Sequence, residues 1–273
     1  MSIIFKAVRL AVLDAHETEI CHASGFFIHR GEECRLCTCW HVVTGLDFFQ
    51  PSVTASYWPP HRRKLRIEFN GNPAPTSVPP GLHQTLSLYD DSSGSFRPMW
   101  RQEQQQRPHK DLDEVGIKIP RSCDVVSMSV SIAPEVLAGL STSIEEVEFR
   151  SPVIGSRVII VGFPYGYTIG VATLNLPIAL TRFTASYEIP RSPESLLAGA
   201  YLLDGKAAPA MSGAPVFMDL GNFNMKLIGI YTGCIFPDEP LLSKSSVSGR
   251  QVNDRNAALG VVCCTGVIRD DNL

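Results

Sequence analysis

The sequence lacks a long hydrophobic run. No stretch of its 273 residues approaches the ~18 uninterrupted apolar residues of a membrane-spanning helix, so we expect no membrane partner. The N-terminal segment MSIIFKAVRL has apolar residues, but Lys6 and Arg9 interrupt them and no small-residue cleavage site follows. This pattern is not that of a secretory signal, and it predicts a cytoplasmic protein.

An excess of charge of either sign is also lacking. The formal net charge is −3, which provides no general attraction for nucleic acid or for an acidic membrane, and we expect neither partner. Hydrophobic residues make up 44% and charged residues 19%, a composition that favours a packed core over disorder. The eight cysteines of an unexported chain are expected to be reduced thiols rather than disulfides.

Helical periodicity is scarce, and we find no internal repeat. Most segments are short, rich in β-branched and aromatic residues and bounded by Gly, Pro, Asn or Asp, for example SGFFIHRG, KLRIEF, SRVIIVGFP and KLIGIYTGCI. A short helix is predicted within residues 134–149, and residues 70–110, rich in Pro, Gly, Ser and Gln, predict a long loop insertion. Many short strands with long loops favour β-barrels or sandwiches over parallel α/β layers.

The segment CRLCTCWHVV, Cys34 to Val43, raises the hypothesis of a zinc site. In an extended strand Cys37 and His41 would lie roughly 13 Å apart, whereas ligands of one zinc ion must approach within about 4 Å of each other. No second Cys/His pair has suitable spacing. We therefore expect no metal and no cofactor, and we interpret Cys37 and Cys39 as small apolar residues of a core strand.

Two segments contain residues suited to nucleophilic catalysis. In PAMSGAPVF, Pro209 to Phe217, Ser212 lies in a small-residue turn that leads into an apolar strand. Small neighbours let the chain bend, expose the hydroxyl and direct backbone N–H groups towards a developing oxyanion. In WHVVTG, His41 is expected at the end of a strand, where an imidazole can act as a general base.

A carboxylate to orient this histidine is predicted in DLDEVGIKIP. If the segment is a strand, Asp113 lies on the same face as the apolar residues that follow it, and Asp111 has the same parity as a second choice. An inward carboxylate is costly unless it is paired, and orienting a histidine is one such pairing. Alone, each candidate is equally a turn serine, a core histidine or a capping aspartate; their order of His, Asp and Ser favours a common site.

Together these segments resemble a known family. The motifs SGFFI, WHVVTG, DEVGIKI, VGFPYG, MSGAPVF and LIGIYTG, in this order, are similar to those of the trypsin-like peptidases of chymotrypsin fold, in particular the non-secreted, HtrA-like branch. The resemblance runs from about Arg9 to Ile268. It implies an all-β fold of two six-stranded antiparallel β-barrels with the active site at their interface. Residues 1–130 would form the N-terminal barrel, with His41, Asp113 and the insertion around 70–110, and residues 131–273 the C-terminal barrel with Ser212.

The resemblance implies a serine endopeptidase that cleaves a peptide or protein substrate through an acyl-enzyme intermediate. Ser212 would attack the peptide carbonyl, His41 would take and return the proton, and Asp113 would hold the imidazole. The backbone N–H groups of Ala210 and Ser212 would form the oxyanion hole.

Further residues are implied to bind the substrate. Thr232 and Gly233 would pair with its backbone by β-strand addition, and the loop from Lys206 to Pro209, with Cys234, would line the primary pocket. By simple spacing Lys206 occupies the base of that pocket. Cleavage after Lys or Arg is therefore not expected, and a small, apolar or acidic residue is preferred.

Two residues depart from the family pattern. Ala210 stands where the family commonly has glycine, so a positive φ at this position would strain it and impair the oxyanion hole. Met211 stands where secreted members have the aspartate that pairs with a freed N-terminus, and no such activation switch is expected.

Other functions fit the same motifs. An α/β-hydrolase is disfavoured, because Ala210 and Ala214 replace the glycines of its GxSxG turn and no βαβ rhythm surrounds them. One alternative is a catalytically weak or inactive protease-fold protein that acts as a binding or effector module. Another is a protease that becomes active only when a regulatory protein partner orders it.

Overall fold

The structure is a computed structural model. It describes residues 3–49, 51, 63–69, 82–90, 97–114, 116–132, 134–166, 176–190, 195–222, 224–235 and 258–265. Strands make up most of the secondary structure in the described part of the chain, and the helices are few and short. None of these helices is long and apolar enough to cross a membrane.

Among the described residues, the first part of the chain contains twelve strands. They are β1 (Ala7–Leu13), β2 (Glu19–Arg30), β3 (Glu33–Thr38), β4 (Lys64–Glu68), β5 (His83–Ser87), β6 (Tyr89–Asp90), β7 (Arg97–Pro98), β8 (Arg101–Gln102), β9 (Gln106–Arg107), β10 (Ile119–Pro120), β11 (Val126–Ser129) and β12 (Ser141–Ser143). Three α-helices lie among them, α1 (Trp40–Thr44), α2 (Lys110–Glu114) and α3 (Pro134–Leu140).

Six strands follow in the second part. They are β13 (Arg157–Gly162), β14 (Ile178–Phe183), β15 (Ala200–Leu203), β16 (Ala214–Asp219), β17 (Met225–Ile235) and β18 (Leu259–Cys264). Short 3-10 helices span Ile3–Lys6, Ile144–Glu146 and Pro164–Gly166.

Two large sheets organise these strands. The first has the order β5-β4-β1-β2-β3-β11-β8, and β12 joins it by parallel pairing with β2. The second has the order β14-β13-β16-β17-β18-β15, and all its pairs are antiparallel. A bridge between Thr184 and Leu203 joins its two edge strands, so this sheet closes on itself. This bridge covers part of the edges of β14 and β15, as in a barrel.

Burial follows from the strand patterns. In β4 and β14, less exposed residues alternate with more exposed ones, as expected for strands with one solvent-exposed face. By contrast, all seven residues of β1 are buried, since this central strand is covered on both faces. One hydrophobic cluster lies against each sheet, and a third contains residues of both, including Phe26 and Cys37 from the first and Phe217 and Ile230 from the second. This shared core fixes the two sheets against each other.

The fold class expected from the sequence is confirmed: the chain is all-β, with two curled sheets. The first sheet has eight strands rather than six, because β8 and β12 add to the expected set. A helix is present at Pro134–Leu140, inside the predicted range. Residues 70–81 and 91–96 of the expected 70–110 insertion lie outside the described residues. The division of the chain at residue 130 stays a prediction.

Candidate active site

A short helix, rather than a strand, positions His41. The strand β3 ends at Thr38, Cys39 is extended, and α1 begins at Trp40. The expected strand through Val43 is therefore wrong beyond Thr38. Gly45 ends the helix with φ 70°, and its N–H donates to the His41 carbonyl, which is the usual role of glycine at a helix C-terminus. The expected core positions of Cys37 and Cys39 are confirmed, with 1% and 0% exposure.

Asp124 holds the His41 imidazole. The His41 Nδ1 atom lies 2.6 Å from Asp124 Oδ2, and the His41 backbone N–H donates to Asp124 Oδ1 at 3.0 Å. The side chain of Asp124 is 7% exposed and that of His41 is 29% exposed. A carboxylate that accepts both bonds fixes the position of the ring and leaves Nε2 without a hydrogen-bond partner among the described residues.

The charge state of His41 reflects this contact. Burial by itself lowers the pKa of the imidazole, but the charge and hydrogen bond of Asp124, with a further contribution from Asp47, raise that pKa above its usual value. The imidazole is therefore suited to accept a proton, because the neighbouring carboxylate stabilises the imidazolium that forms.

The expectation that Asp113 orients His41 is corrected by the structure. Asp113 lies in the exposed helix α2, where its carboxylate accepts from Lys118 Nζ at 2.6 Å and from the His109 N–H at 3.2 Å. These hydrogen bonds, that of Lys118 first, lower the pKa of Asp113. Asp111, the second choice, is exposed on the same helix.

Asp113 does not face the core because residues 110–114 are helical. A period of two applies only to a strand, and in this helix Leu112 is the buried residue. Val115 lies outside the described residues. A different sequence signal points to Asp124: in the segment SCDVVSMS this acidic residue lies two positions before the strand β11, which pairs with β3.

The segment that contains Ser212 is held against the first sheet. The Ser24 N–H donates to the Ser212 carbonyl at 2.9 Å, and the Ser24 hydroxyl donates to the Ala210 carbonyl at 3.0 Å. Gly213 has φ +86°, and a Cβ there would lie 2.1 Å from the Ser24 carbonyl oxygen and 2.4 Å from Thr38 Oγ1. Only glycine satisfies both constraints, so the turn is fixed closely to β2 and β3.

One carbonyl group links this turn to the histidine segment. The Tyr231 carbonyl accepts the Gly213 N–H at 2.8 Å and the Cys39 thiol at 3.6 Å. Gly213 directly follows Ser212, and Cys39 comes two residues before His41. The structure therefore brings the predicted nucleophile and base onto neighbouring backbones. No hydrogen bond joins Ser212 Oγ to His41 within the described residues.

The backbone two residues before the nucleophile has the positive φ that the sequence analysis considered as a source of strain. Ala210 has φ +68°, in the left-handed region, which costs an L-residue about 1–2 kcal/mol. The N–H groups of Ala210 and Ser212 donate to no acceptor in the part of the chain that the structure describes, whereas those of Met211, Gly213 and Ala214 are used. Two free donors separated by one residue are the arrangement that an oxyanion hole needs.

The predicted pocket residues lie around the start of this turn. The Ala207 N–H donates to the Tyr231 hydroxyl at 2.9 Å, which ties the loop from Lys206 to Pro209 to β17. Lys206 is close enough to Cys234 to lower the pKa of that thiol, although burial outweighs it and the net shift is upwards.

A second cation beside this loop was not foreseen. Arg182 donates from Nη2 to the Lys206 carbonyl at 2.9 Å. Arg182 belongs to β14, so it reaches the loop only through the tertiary fold. The predicted pocket loop therefore contains one cation, Lys206, and is contacted by a second, Arg182.

An open sheet edge lies next to Ser212. The strand β16 begins at Ala214, opposite Tyr231, whereas β17 continues to Ile235. Among the described residues, Gly233 to Ile235 pair only with β18, and Thr232 lies at a β-bulge opposite that strand. Gly233, with φ +152°, has open space where a Cβ would be. An extended peptide can add to this edge.

The possible metal ligands around His41 are already engaged in other interactions. Cys39, His41 and Asp124 offer ligand atoms that all lie within 4.8 Å of one another. The imidazole and the carboxylate are already bonded to each other, and the Cys39 thiol donates to a carbonyl. Burial raises the pKa of Cys39 far above the usual value, which disfavours the thiolate that a metal requires.

Comparison with known proteins gives a structural likeness and no sequence relative. No family model matches the chain, and no curated protein matches its sequence. A solved structure described as the HtrA-type protease AlgW with tripeptide matches 96% of this chain with a TM-score of 0.50 and 15% identity. A variant of that protease with tripeptide matches 97% of this chain with a TM-score of 0.49 and 15% identity.

The first of these likenesses is informative about the fold. The chain spans 57% of the length of the AlgW chain and has its chymotrypsin-like arrangement of two β-sheets. At 15% identity the likeness concerns the fold alone.

Proposed function

We propose that this chain is a serine endopeptidase in which Ser212 is the nucleophile, His41 the general base and Asp124 the orienting carboxylate. The observation that carries the proposal is the 2.6 Å contact between His41 Nδ1 and Asp124 Oδ2. It supports the proposal because the imidazole is oriented by a carboxylate, its Nε2 atom is free for proton transfer, and its backbone neighbours the Ser212 turn. This is the division of roles in a Ser-His-Asp triad.

The reaction follows from these positions. Ser212 Oγ attacks the carbonyl carbon of the scissile peptide while its proton passes to His41 Nε2. Asp124 stabilises the imidazolium, and the N–H groups of Ala210 and Ser212 bind the oxyanion. His41 then gives its proton to the departing amine, which leaves an acyl-enzyme. A water molecule, deprotonated by His41, hydrolyses that ester and restores Ser212.

The substrate is proposed to bind as an added strand. The free edge of β17 from Thr232 to Ile235 begins where β16 stops, directly beside Ser212. A peptide paired there would present its carbonyl to the nucleophile. Because Lys206 and Arg182 flank the pocket loop, we favour an acidic residue on the acyl side of the cleaved bond over Lys or Arg.

The test is covalent labelling of Ser212. A fluorophosphonate probe should label the wild-type chain and fail to label Ser212→Ala, and Asp113→Asn should label like wild type because Asp113 is bonded to Lys118 instead. Circular dichroism checks that each variant is folded. Absence of labelling in a folded wild-type protein, with or without added partners, contradicts the protease function.

Two observations favour a regulated form of this function. No hydrogen bond joins Ser212 Oγ to His41 within the described residues, and the positive φ of Ala210 strains the oxyanion segment. A protein partner that brings Ser212 Oγ within hydrogen-bond distance of His41 would complete the site. In that case labelling appears only after cell lysate or the partner is added; labelling of the isolated chain at full rate contradicts regulation. A binding or effector protein without activity is the outcome if neither condition gives labelling.

A further inference from the structure

A short arm of the chain lies along the segment that contains Asp124. The arm consists of residues 101–107, with the sequence RQEQQQR, and forms β8, a turn and β9. Its two ends pair with the strands on either side of Asp124, because β8 pairs with β11 and β9 pairs with β10. The arm is therefore placed to influence the carboxylate that orients the histidine.

The two sides of this pairing differ in length. Gln102 pairs with Val126, and Gln106 pairs with Pro120. Three residues of the arm therefore face the five residues 121–125. Residues in excess of a strand ladder have backbone N–H groups without strand partners, and such groups need other acceptors when they are removed from water.

Glu103 supplies acceptors to this longer side. Its Oε2 atom accepts the Ser122 N–H at 2.8 Å and the Cys123 N–H at 3.2 Å, and its Oε1 atom accepts the Ser122 hydroxyl at 2.8 Å. The Gln105 carbonyl accepts the preceding N–H, that of Arg121, at 3.0 Å. The arm thus binds three consecutive backbone N–H groups, and the charge of the carboxylate strengthens two of these bonds.

Asp124 continues this segment on the side of the histidine. Its carbonyl accepts the Trp40 N–H at 3.3 Å, and its carboxylate bonds to the backbone and the ring of His41. The two residues bound by Glu103 directly precede it, so the segment is held between the arm and α1. Because the side chain of an aspartate is short, a shift of its backbone also shifts the carboxylate.

A cation of the same arm lies near both carboxylates. Burial lowers the pKa of Arg107, and the charges of Asp124, Glu103 and Asp47 counteract this lowering. The Nε atom of Arg107 donates to the Pro120 carbonyl at 3.2 Å, which holds the guanidinium in place. Its positive charge reduces the repulsion between the two carboxylates, so Glu103 can bind the segment without displacing Asp124.

We propose that Glu103 is a positioning residue of the candidate active site: its carboxylate fixes the backbone of Ser122 and Cys123 and thereby orients the Asp124 carboxylate towards His41. Glu103 acts through its reach, as an acceptor of hydrogen bonds, and not through its charge. Its role in catalysis rests on the proposed peptidase function, whereas its effect on the contact between Asp124 and His41 does not.

Two conservative variants separate reach from charge. In Glu103→Gln the length is kept, because the amide oxygen accepts both N–H groups and the amide nitrogen donates to the Ser122 hydroxyl. In Glu103→Asp the charge is kept, but the side chain is shorter by one C–C bond, about 1.5 Å, and loses these contacts. We expect Glu103→Gln to behave like wild type and Glu103→Asp to behave like Glu103→Ala.

The first measurement is an NMR titration of the His41 imidazole in the full chain, assigned with His41→Asn. Burial lowers the pKa of His41, and Asp124, with a contribution from Asp47, raises it, so the midpoint reports how closely Asp124 is held. The midpoint should move to lower pH in Glu103→Asp and Glu103→Ala and stay at the wild-type value in Glu103→Gln. A merely structural role would lower the melting temperature and leave the midpoint unchanged in every folded variant.

The second measurement is the rate of fluorophosphonate labelling of Ser212, in the condition in which wild type is labelled. The rate should fall about ten- to a hundredfold in Glu103→Asp and Glu103→Ala, as expected for a displaced catalytic group, and stay within about twofold in Glu103→Gln. The matched control is Glu33→Ala, which removes an acidic side chain of the first sheet that is bonded to Arg35. It should change neither the rate nor the midpoint.

The outcomes distinguish this proposal from the proposed function. Absence of labelling in wild type contradicts the peptidase function, and the titration still decides whether Glu103 positions Asp124. The positioning role is overturned if Glu103→Asp has the wild-type midpoint, or if Glu103→Gln shifts the midpoint as far as Glu103→Asp. A shifted midpoint with an unchanged labelling rate overturns the role in catalysis. These comparisons hold even where Glu103→Ala does not fold.

Discussion

The Nδ1 atom of His41 lies 2.6 Å from the Oδ2 atom of Asp124, a residue 83 positions later in the chain. Asp113, which the sequence favoured, is instead exposed and bonded to Lys118. The two aspartates offer a direct comparison, because they belong to the same half of the chain and differ in their contact with the imidazole.

Asp124→Asn is expected to lower the rate of Ser212 labelling or peptide hydrolysis by about 10⁴-fold, because an amide holds the wrong tautomer of the histidine and does not stabilise its charged form. Asp113→Asn should stay within about twofold of wild type, since surface ion pairs contribute little. The measurement is the fluorophosphonate labelling rate of each folded variant. Equal losses in the two variants would contradict the role of Asp124.

The pH dependence follows from the raised pKa of His41. A general base must be neutral, so activity should rise with pH through this pKa. In Asp124→Asn the charge and carboxylate hydrogen bond are lost while burial remains, and the midpoint should move to lower pH. For stability the sign is opposite: the raised pKa stabilises the folded chain below the usual histidine pKa, and this contribution is lost as pH rises through the folded value. An NMR titration of the imidazole, assigned with His41→Asn, measures the midpoint; an unchanged midpoint in Asp124→Asn contradicts the assignment.

Gly213→Ala tests how closely the nucleophile turn packs on β2. The new Cβ would meet the Ser24 carbonyl oxygen at 2.1 Å. The matched control is Gly155→Ala, because Gly155 has the same φ of +86° but nothing within 4 Å of its Cβ position. Gly155→Ala should cost about 1–2 kcal/mol of unfolding free energy from backbone strain alone, and Gly213→Ala about 1–3 kcal/mol more from the clash. Urea unfolding measures both, and equal costs would show that the turn tolerates the added atom.

Ala210→Gly should stabilise the chain by about 0.5–1 kcal/mol, because relief of the left-handed strain exceeds the entropy that glycine adds to the unfolded chain. Its labelling rate should equal or exceed that of wild type, since the N–H groups of the oxyanion segment are retained. Ala208→Gly is the control: Ala208 does not have a positive φ, so the same change should destabilise by about 0.4–1 kcal/mol. Loss of stability in Ala210→Gly would show that alanine is not strained there.

Lys206→Glu tests the charge of the proposed pocket. Wild type should prefer peptides with Asp or Glu on the acyl side of the cleaved bond, and the variant should lose that preference by about tenfold or more. Peptide-library profiling of kcat/KM measures the change. The control is Lys226→Glu, which alters a lysine outside the pocket loop, whose Nζ donates to the Glu145 carbonyl. The same preference in all three proteins would exclude Lys206 from the pocket.

Much of the fold was predictable because it rests on local patterns. Short apolar segments predicted several strands of both sheets, among them β2, β4, β13 and β17, and the small residues around Ser212 predicted a turn whose Gly213 and Ala210 have positive φ. The segment after Thr38 was predicted less well. The residues Trp40–Thr44 have the β-branched, apolar composition of a strand, yet they form one turn of helix. The hydrogen bond from the His41 N–H to Asp124 holds that turn. This contact between residues distant in sequence cannot be predicted from local composition.

Local patterns in the sequence predict an all-β chain without a long apolar span, and they mark His41 and Ser212 as candidates through their immediate neighbours. The packing of the two sheets, by contrast, determines which carboxylate meets His41 and places the Tyr231 carbonyl between the histidine segment and the nucleophile turn. The difference lies in the range of the forces involved. Strand periodicity and turn conformation depend on residues a few positions apart, whereas a hydrogen bond between residues 83 positions apart exists only after the sheets have packed.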